Sequence, residues 1–343
     1  MSSETIASLT AMSRIDTDEV ATTLVDGHHE IDIIAPRDVP LGGLRAMTVR
    51  RTLPNRQRTT IGPWCFLDHY GPDDIEQTGG MSVPPHPHTG LQTVSWLFEG
   101  TIEHQDSTGA HALVVPGELN IMTAGRGIQH SEVSTPDSSV LHGVQLWVAL
   151  PEAHRDHAPH FDTRQSLAAE VDQGVVALIT GELPQVGVVD APHYWPMVAA
   201  QIDLPAQARM SLSLDESFEH GILVDSGETT VLGESVPPHH LAYLAPGRAS
   251  VELVAGNQPA RLVLIGGAPF EEDIVMWWNF IGRRHDDIEA AREAWQSGLT
   301  SGSERFGFLD HMPALPAPEM PRVTLKARPP GALPTSSGHH SRN

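Results

Sequence analysis

Four residues in this sequence have the types and spacing of a metal centre. His86 and His88 stand in Pro85-His86-Pro87-His88, and His130 and Glu132 follow in His130-Ser131-Glu132. On an extended strand, residues i and i+2 point to the same face. His86 and His88 can therefore reach one point together, and so can His130 and Glu132. If the two strands face each other across a barrel, three imidazoles and one carboxylate converge. Nitrogen and oxygen donors without thiolate suit one divalent transition metal, such as Fe(II), Mn(II), Ni(II) or Cu(II), with Zn a further alternative, better than Ca²⁺ or Mg²⁺. The H-x-H pair alone carries little weight. With 20 His in 343 residues, composition alone yields about one such pair. The added H-x-E gives the set its meaning.

The elements that position these residues read as short strands. Gly (30) and Pro (28) are spread along the chain and cut it into many short segments, the pattern of an all-β protein. Strand-like runs include 93–98, 146–150, 175–179, 197–202, 221–224, 249–253 and 261–265. The two halves repeat this texture without repeating residues. We expect an N-terminal extension over 1–30, a metal-binding domain over 31–155, a second domain over 165–300, and a disordered, locally basic tail over 313–343. One helix is expected from about Asp286 to Gln296. Ile288, Ala291 and Trp295 share its apolar face, and Gly298 stops it.

Composition excludes several functions. The 21 Lys+Arg against 43 Asp+Glu give a net charge of −22, which repels a phosphate backbone and argues against direct nucleic-acid binding. Cys65 is the single cysteine, so no intrachain disulfide forms and an all-Cys zinc site is excluded. The first residues lack a basic segment followed by an apolar core. No apolar run approaches the length of a membrane span. The expected location is the cytoplasm, away from the membrane.

Longer motifs point further. Gly62-Pro63-Trp64-Cys65-Phe66-Leu67-Asp68-His69-Tyr70-Gly71-Pro72 resembles the entry segment of the pirin family. Pro85-His86-Pro87-His88-Thr89-Gly90-Leu91-Gln92-Thr93-Val94 resembles its first metal motif. Met122-Thr123-Ala124-Gly125-Arg126-Gly127-Ile128-Gln129-His130-Ser131-Glu132 resembles the second, and Met276-Trp277-Trp278-Asn279-Phe280 carries the likeness into the second half. The resemblance implies a bicupin, two jelly-roll β-sandwich barrels packed face to face with a C-terminal helix. It implies the same four metal ligands, His86, His88, His130 and Glu132. Thr89 and Gln92 depart from the family, which commonly has Arg and Glu there. The second cupin keeps no ligand set. Ser213, Asp215 and Glu252 fall where the ligands would be.

The resemblance also implies an activity. A mononuclear iron centre with open positions fits a quercetin 2,3-dioxygenase-like oxidoreductase that acts on flavonols with O2. Glu132 serves there as ligand and as catalytic base. The alternative is a non-catalytic, redox-sensitive, metal-dependent co-regulator that binds a protein partner. Other residues receive plainer readings. His104 reads as a satisfied barrel histidine, with a supporting contact to a ligand as the sharper option. Asp68 and His69 read as a hydrogen-bonded pair, Arg126 as a substrate or salt-bridge arginine, and His154, His157 and His160 as a solvated linker face. His239-His240 and His339-His340 would diverge on a strand. Cys65 reads as a buried small hydrophobe, and Trp277-Trp278 as packing that docks the helix onto the second barrel.

Overall fold

The structure is a computed structural model that describes residues 31–41 and 47–331. The expected extension 1–30, residues 42–46, and residues 332–343 with His339-His340 lie outside the described residues.

Two β-sandwiches make up the fold, with every strand pair antiparallel. In the first, a seven-stranded sheet runs in spatial order His160–Gln165, Glu118–Thr123, Leu91–Glu99, Val140–Ala149, Trp64–Asp74, Thr48–Leu53, Arg37–Pro40. It faces a four-stranded sheet ordered Ser82–His88, Ile128–Ser134, Ile102–Asp106, His111–Val114. The second sandwich pairs an eight-stranded sheet with a four-stranded one. Strand pairing crosses the contiguous bounds expected at 31–155 and 165–300. Asp32–Ile34 pairs with Leu241–Leu244 in the second sandwich. His160–Gln165, inside the expected linker, closes the edge of the first.

The two large sheets pack on each other. Trp64, Val94, Trp96 and Leu146 of the first share one core with Ile179, Ala199, Leu223 and Val263 of the second. This is why the central strands are apolar on both faces instead of alternating with solvent. In Leu91–Glu99, Val94 and Trp96 point to the seam, where Trp96 Nε1 donates to Gln201 Oε1 at 2.8 Å. Ser95 and Leu97 point into the first sandwich. In Trp64–Asp74, Leu67 and His69 face the seam, and Phe66, Asp68 and Tyr70 face inward. Trp64 is fully buried and donates Nε1 to Gly266 O at 2.9 Å. Its truncation to Ala removes both packing and bond, a cost of about 3–5 kcal/mol.

The helix spans His285–Ser297 and buries Ile288, Ala291 and Trp295 as expected. The Asp287 carboxylate accepts the backbone N–H groups of Arg283 and Arg284 at 2.9 and 3.0 Å, which fixes its first turn. Its docking partner differs from expectation. Trp277 and Trp278 join the helix to the first sandwich, because the hairpin Val275–Trp277/Phe280–Gly282 hangs on Thr89, whose carbonyl accepts from Ile281 N at 2.9 Å.

The tail also departs from the sequence reading over 313–331. Leu315 N donates to Pro85 O, and Leu315 O accepts from Trp295 Nε1, both at 2.8 Å. Ala317 packs in the helix core. The Pro-rich composition suggested disorder, but these residues form an extended strap satisfied by partners far away in sequence.

Candidate metal centre

Ser82–His88 and Ile128–Ser134 are neighbours in one sheet, not strands facing across the barrel. His130 stands directly opposite His86 in the register, the closest relation two side chains on adjacent strands can have. His88, two residues on, falls on the same face. The ligating atoms of His86, His88 and His130 lie within 4.8 Å of one another, and all three side chains are buried. A register shift between His130 and Glu132 turns the carboxylate, which groups with His104 and His130.

Hydrogen bonds fix how each imidazole presents itself. His86 Nδ1 is 2.9 Å from Pro84 O, and His88 Nδ1 is 3.2 Å from Asn279 O. A carbonyl only accepts, so each ring carries its proton on Nδ1 and leaves Nε2 as a lone-pair donor. His130 Nδ1 lies 3.4 Å from His104 Nδ1, and His104 Nε2 lies 3.1 Å from Asp106 Oδ2. Asp106 therefore accepts a hydrogen bond from His104 Nε2–H, His104 Nδ1 accepts from His130, and His130 Nε2 is also left free. The Nε2 atoms of His88 and His130 are 3.1 Å apart. No proton is left to share between them, so that approach makes chemical sense around a cation held through nitrogen bonds of about 2.0–2.1 Å. The donor set thus fits a divalent transition metal.

Electrostatics agree. Burial lowers the pKa of His86 to about 4, opposed in part by the Pro84 carbonyl. Burial also holds His88 and His130 well below the ordinary histidine range, with the neighbouring imidazoles adding to the effect. Neutral imidazole is the form a metal needs. Burial raises Glu132, while His104 and a 3.4 Å bond from Ser95 Oγ pull the other way.

The space beside these nitrogens is a cavity of about 50 Å³, walled by Phe66, Asp68, Gln145, Trp147, Trp278 and Leu315 among others. The Phe66 and Trp147 rings stack at 4.0 Å. Asp68 is held by Arg51 in a buried bidentate pair at 2.6 and 2.7 Å. Asp68 and His69 are thus not partners, because consecutive strand residues point to opposite faces. Thr89 and Gln92 do not wall the cavity. Gln92 points to the seam and donates to Thr123 Oγ1 and Pro192 O, both at 2.8 Å.

Other expectations resolve similarly. His104 is buried and bonded, as a barrel histidine should be, and it also supports His130. Arg126 is exposed and has no carboxylate within 4.0 Å among the described residues. His154, His157 and His160 form no metal-binding group among the described residues. Ser213, Asp215 and Glu252 likewise form none, and Glu252 pairs loosely with Arg209 at 3.7 Å. Burial pushes the Cys65 thiol up, away from nucleophilic use. Sequence reasoning missed Arg51, Ser95, Trp147, Asn279 and Leu315. Strand alternation could have found Ser95, two residues from Leu97. Nothing local marks Asn279 or Leu315.

A second histidine–carboxylate group lies at the seam. His69 Nε2 and His142 Nε2 approach Asp225 Oδ1 at 2.7 and 2.6 Å. Arg50 Nε donates to His69 Nδ1 at 3.3 Å, so His69 Nε2 carries the proton and donates a hydrogen bond to Asp225. Arg261 Nη1 lies 3.7 Å from the other Asp225 oxygen. One guanidinium beside the carboxylate and another on the His69 ring already supply positive charge to this group. This group is a hydrogen-bonded lock between the sandwiches.

The family model described as Pirin matches residues 45–148, and that described as Pirin C-terminal cupin domain matches residues 193–301. The chain belongs to the pirin family. It is 42% identical over 298 residues to a Pseudomonas aeruginosa protein whose name marks it as a candidate quercetin 2,3-dioxygenase, covering 85% of this chain and 91% of that one. A crystal structure of quercetin 2,3-dioxygenase from Acinetobacter baumannii superimposes with a TM-score of 0.80 at 35% identity, over 87% of this chain and 97% of that one. A bacterial pirin from Escherichia coli, solved with nickel(II), shares the pirin fold at 21% identity and a TM-score of 0.53, over 70% of this chain and 100% of that one. No helix among the described residues is long and apolar enough to cross a membrane.

Proposed function

We propose that this pirin is a mononuclear metal-dependent dioxygenase for flavonols of the quercetin type. His86, His88 and His130 hold the metal through Nε2, and Glu132 completes the set. Iron(II) is the expected metal. The observation that carries the reading is the triple tie of the Nδ1 atoms, to Pro84 O, Asn279 O and His104. Each tie frees an Nε2 toward one buried point beside a carboxylate. Two relatives named for quercetin 2,3-dioxygenase support the substrate class.

When bound, a redox-active divalent metal supplies the Lewis acidity and one-electron chemistry that dioxygen insertion needs. The chain supplies the rest. Glu132, buried beside the imidazoles with Ser95 Oγ at 3.4 Å, is placed to take the proton of an acidic enol or phenol hydroxyl. The stacked Phe66–Trp147 wall offers an apolar face to a planar ring. Leu315 of the strap forms one wall of the cavity.

One observation favours the second reading, a metal-bearing module that binds a protein partner. The cavity of about 50 Å³ holds only a few waters, whereas ligand pockets usually run to roughly 300 Å³ or more. A flavonol enters only if the strap around Leu315 moves. Oxygen uptake with quercetin as substrate decides between them. The dioxygenase reading expects turnover that is lost in Glu132→Gln and His86→Ala and is raised by Leu315→Ala. Full metal occupancy without oxygen uptake, across several flavonols and in Leu315→Ala, would overturn it in favour of the module.

A further inference from the structure

Behind the metal cavity lies a second, larger one of about 420 Å³. It shares Phe66 and Trp278 with the metal cavity, and Arg51 lines it while its partner Asp68 lines the other. Four cations wall it, Arg37, Arg51, Lys326 and Arg328, and no Asp or Glu does. In a chain of net charge −22, that is a local reversal of sign. The remaining wall includes the indoles of Trp277 and Trp278.

We propose that this cavity binds a small aromatic carboxylate. The cations are set for a planar anion. Arg51 lies 4.1 Å over the Phe66 ring and gives Nε and Nη2 to Asp68, so its fork is rigid and its Nη1 stays outside that pair. Arg328 is anchored by its backbone, which exchanges hydrogen bonds with Ile274 at 2.9 and 3.1 Å. Among the described residues, neither Lys326 nor Arg328 has a carboxylate within 4.0 Å. Arg328 is only partly exposed, whereas Lys326 is exposed. A half-buried cation without a counter-ion is costly, and an incoming anion relieves that cost. Guanidinium groups match carboxylate geometry with paired N–H donors. The indole walls and the volume fit a one- or two-ring aromatic body.

The test titrates full-length protein with 1-naphthoate in a calorimeter. Saturable one-to-one binding is expected, weakening as salt rises. Lys326→Ala with Arg328→Ala should weaken it by about tenfold or more. The milder Lys326→Gln should weaken it by a smaller factor, with an unchanged melting curve. His86→Ala should leave it intact. Neutral 1-naphthol, with the same rings, should bind at least about tenfold more weakly. Four results overturn the proposal. They are no saturable binding, naphthol binding as well as naphthoate, inorganic phosphate binding as well as naphthoate, or binding that survives the double variant and is lost in His86→Ala.

Discussion

Replacing Asp225 by Asn tests the lock between the sandwiches with a near-isosteric change. In the native protein one oxygen, Oδ1, accepts from both His69 and His142 at 2.7 and 2.6 Å, and the whole carboxylate is buried. A hydrogen bond to a charged group contributes roughly 1.5–3 kcal/mol, against about 0.5–1.5 for a neutral one. Asn keeps an acceptor for both donors but removes the charge, which costs about 1 kcal/mol per bond. Its NH2 group then stands where Oδ2 faced Arg261 Nη1 at 3.7 Å, donor against donor. The expected loss is about 2–3 kcal/mol, measured by urea unfolding at pH 7. The two flanking histidines hold the Asp225 pKa far below the ordinary carboxylate value, against burial, which alone would raise it. A depressed carboxylate stabilises fully above its unfolded pKa, about 3.9, and loses that contribution as pH falls toward the folded value. The gap between wild type and Asp225→Asn should therefore be constant from pH 7 to 5 and narrow below about pH 4. A loss under about 0.5 kcal/mol, or a gap that widens in acid, would refute the reasoning.

Three further outcomes follow from the same geometry. Gly125→Ala should cost at least about 2 kcal/mol in thermal unfolding, because Gly125 has φ +51° and an added Cβ would sit 2.0 Å from His157 O. His104→Ala should lower metal affinity by about 10–100-fold in a chelator competition, since it removes the group that accepts from His130 Nδ1. Metal occupancy should stay flat from pH 8 to about pH 6 and fall only near pH 4. Burial already keeps His86 neutral down to about pH 4, and protons compete for Nε2 only below that. Loss of metal with a midpoint near 6.5, the ordinary histidine value, would contradict the burial argument.

Much of this molecule is legible in its sequence, and the limits have physical causes. Period-two alternation puts His86 and His88 on one face, and the register then sets His130 opposite His86. The sequence could not say that the two strands are neighbours, because pairing depends on contacts distant along the chain. The apolar runs at 93–98 and 146–150 announce strands buried on both faces, as the seam between the sandwiches requires. Asp68 and His69 were misread as partners because sequence adjacency says nothing about which face each strand residue occupies. The tail was misread for a related reason. Pro-rich composition reports the lack of regular hydrogen bonding, and the 313–331 strap meets that need with Pro85 and Trp295. Asn279 and Leu315 reach the metal cavity from segments nearly two hundred or more residues beyond His88. No local pattern encodes that approach.

Metal analysis of protein purified without added metal, in wild type and His130→Ala, tests the central claim most directly. The account predicts about one equivalent of a divalent transition metal, iron foremost, in the wild type. His130→Ala should lack it while keeping its β-rich circular dichroism. A well-folded wild-type protein that neither carries nor takes up such a metal, or a His130→Ala variant that retains a full equivalent, would contradict it.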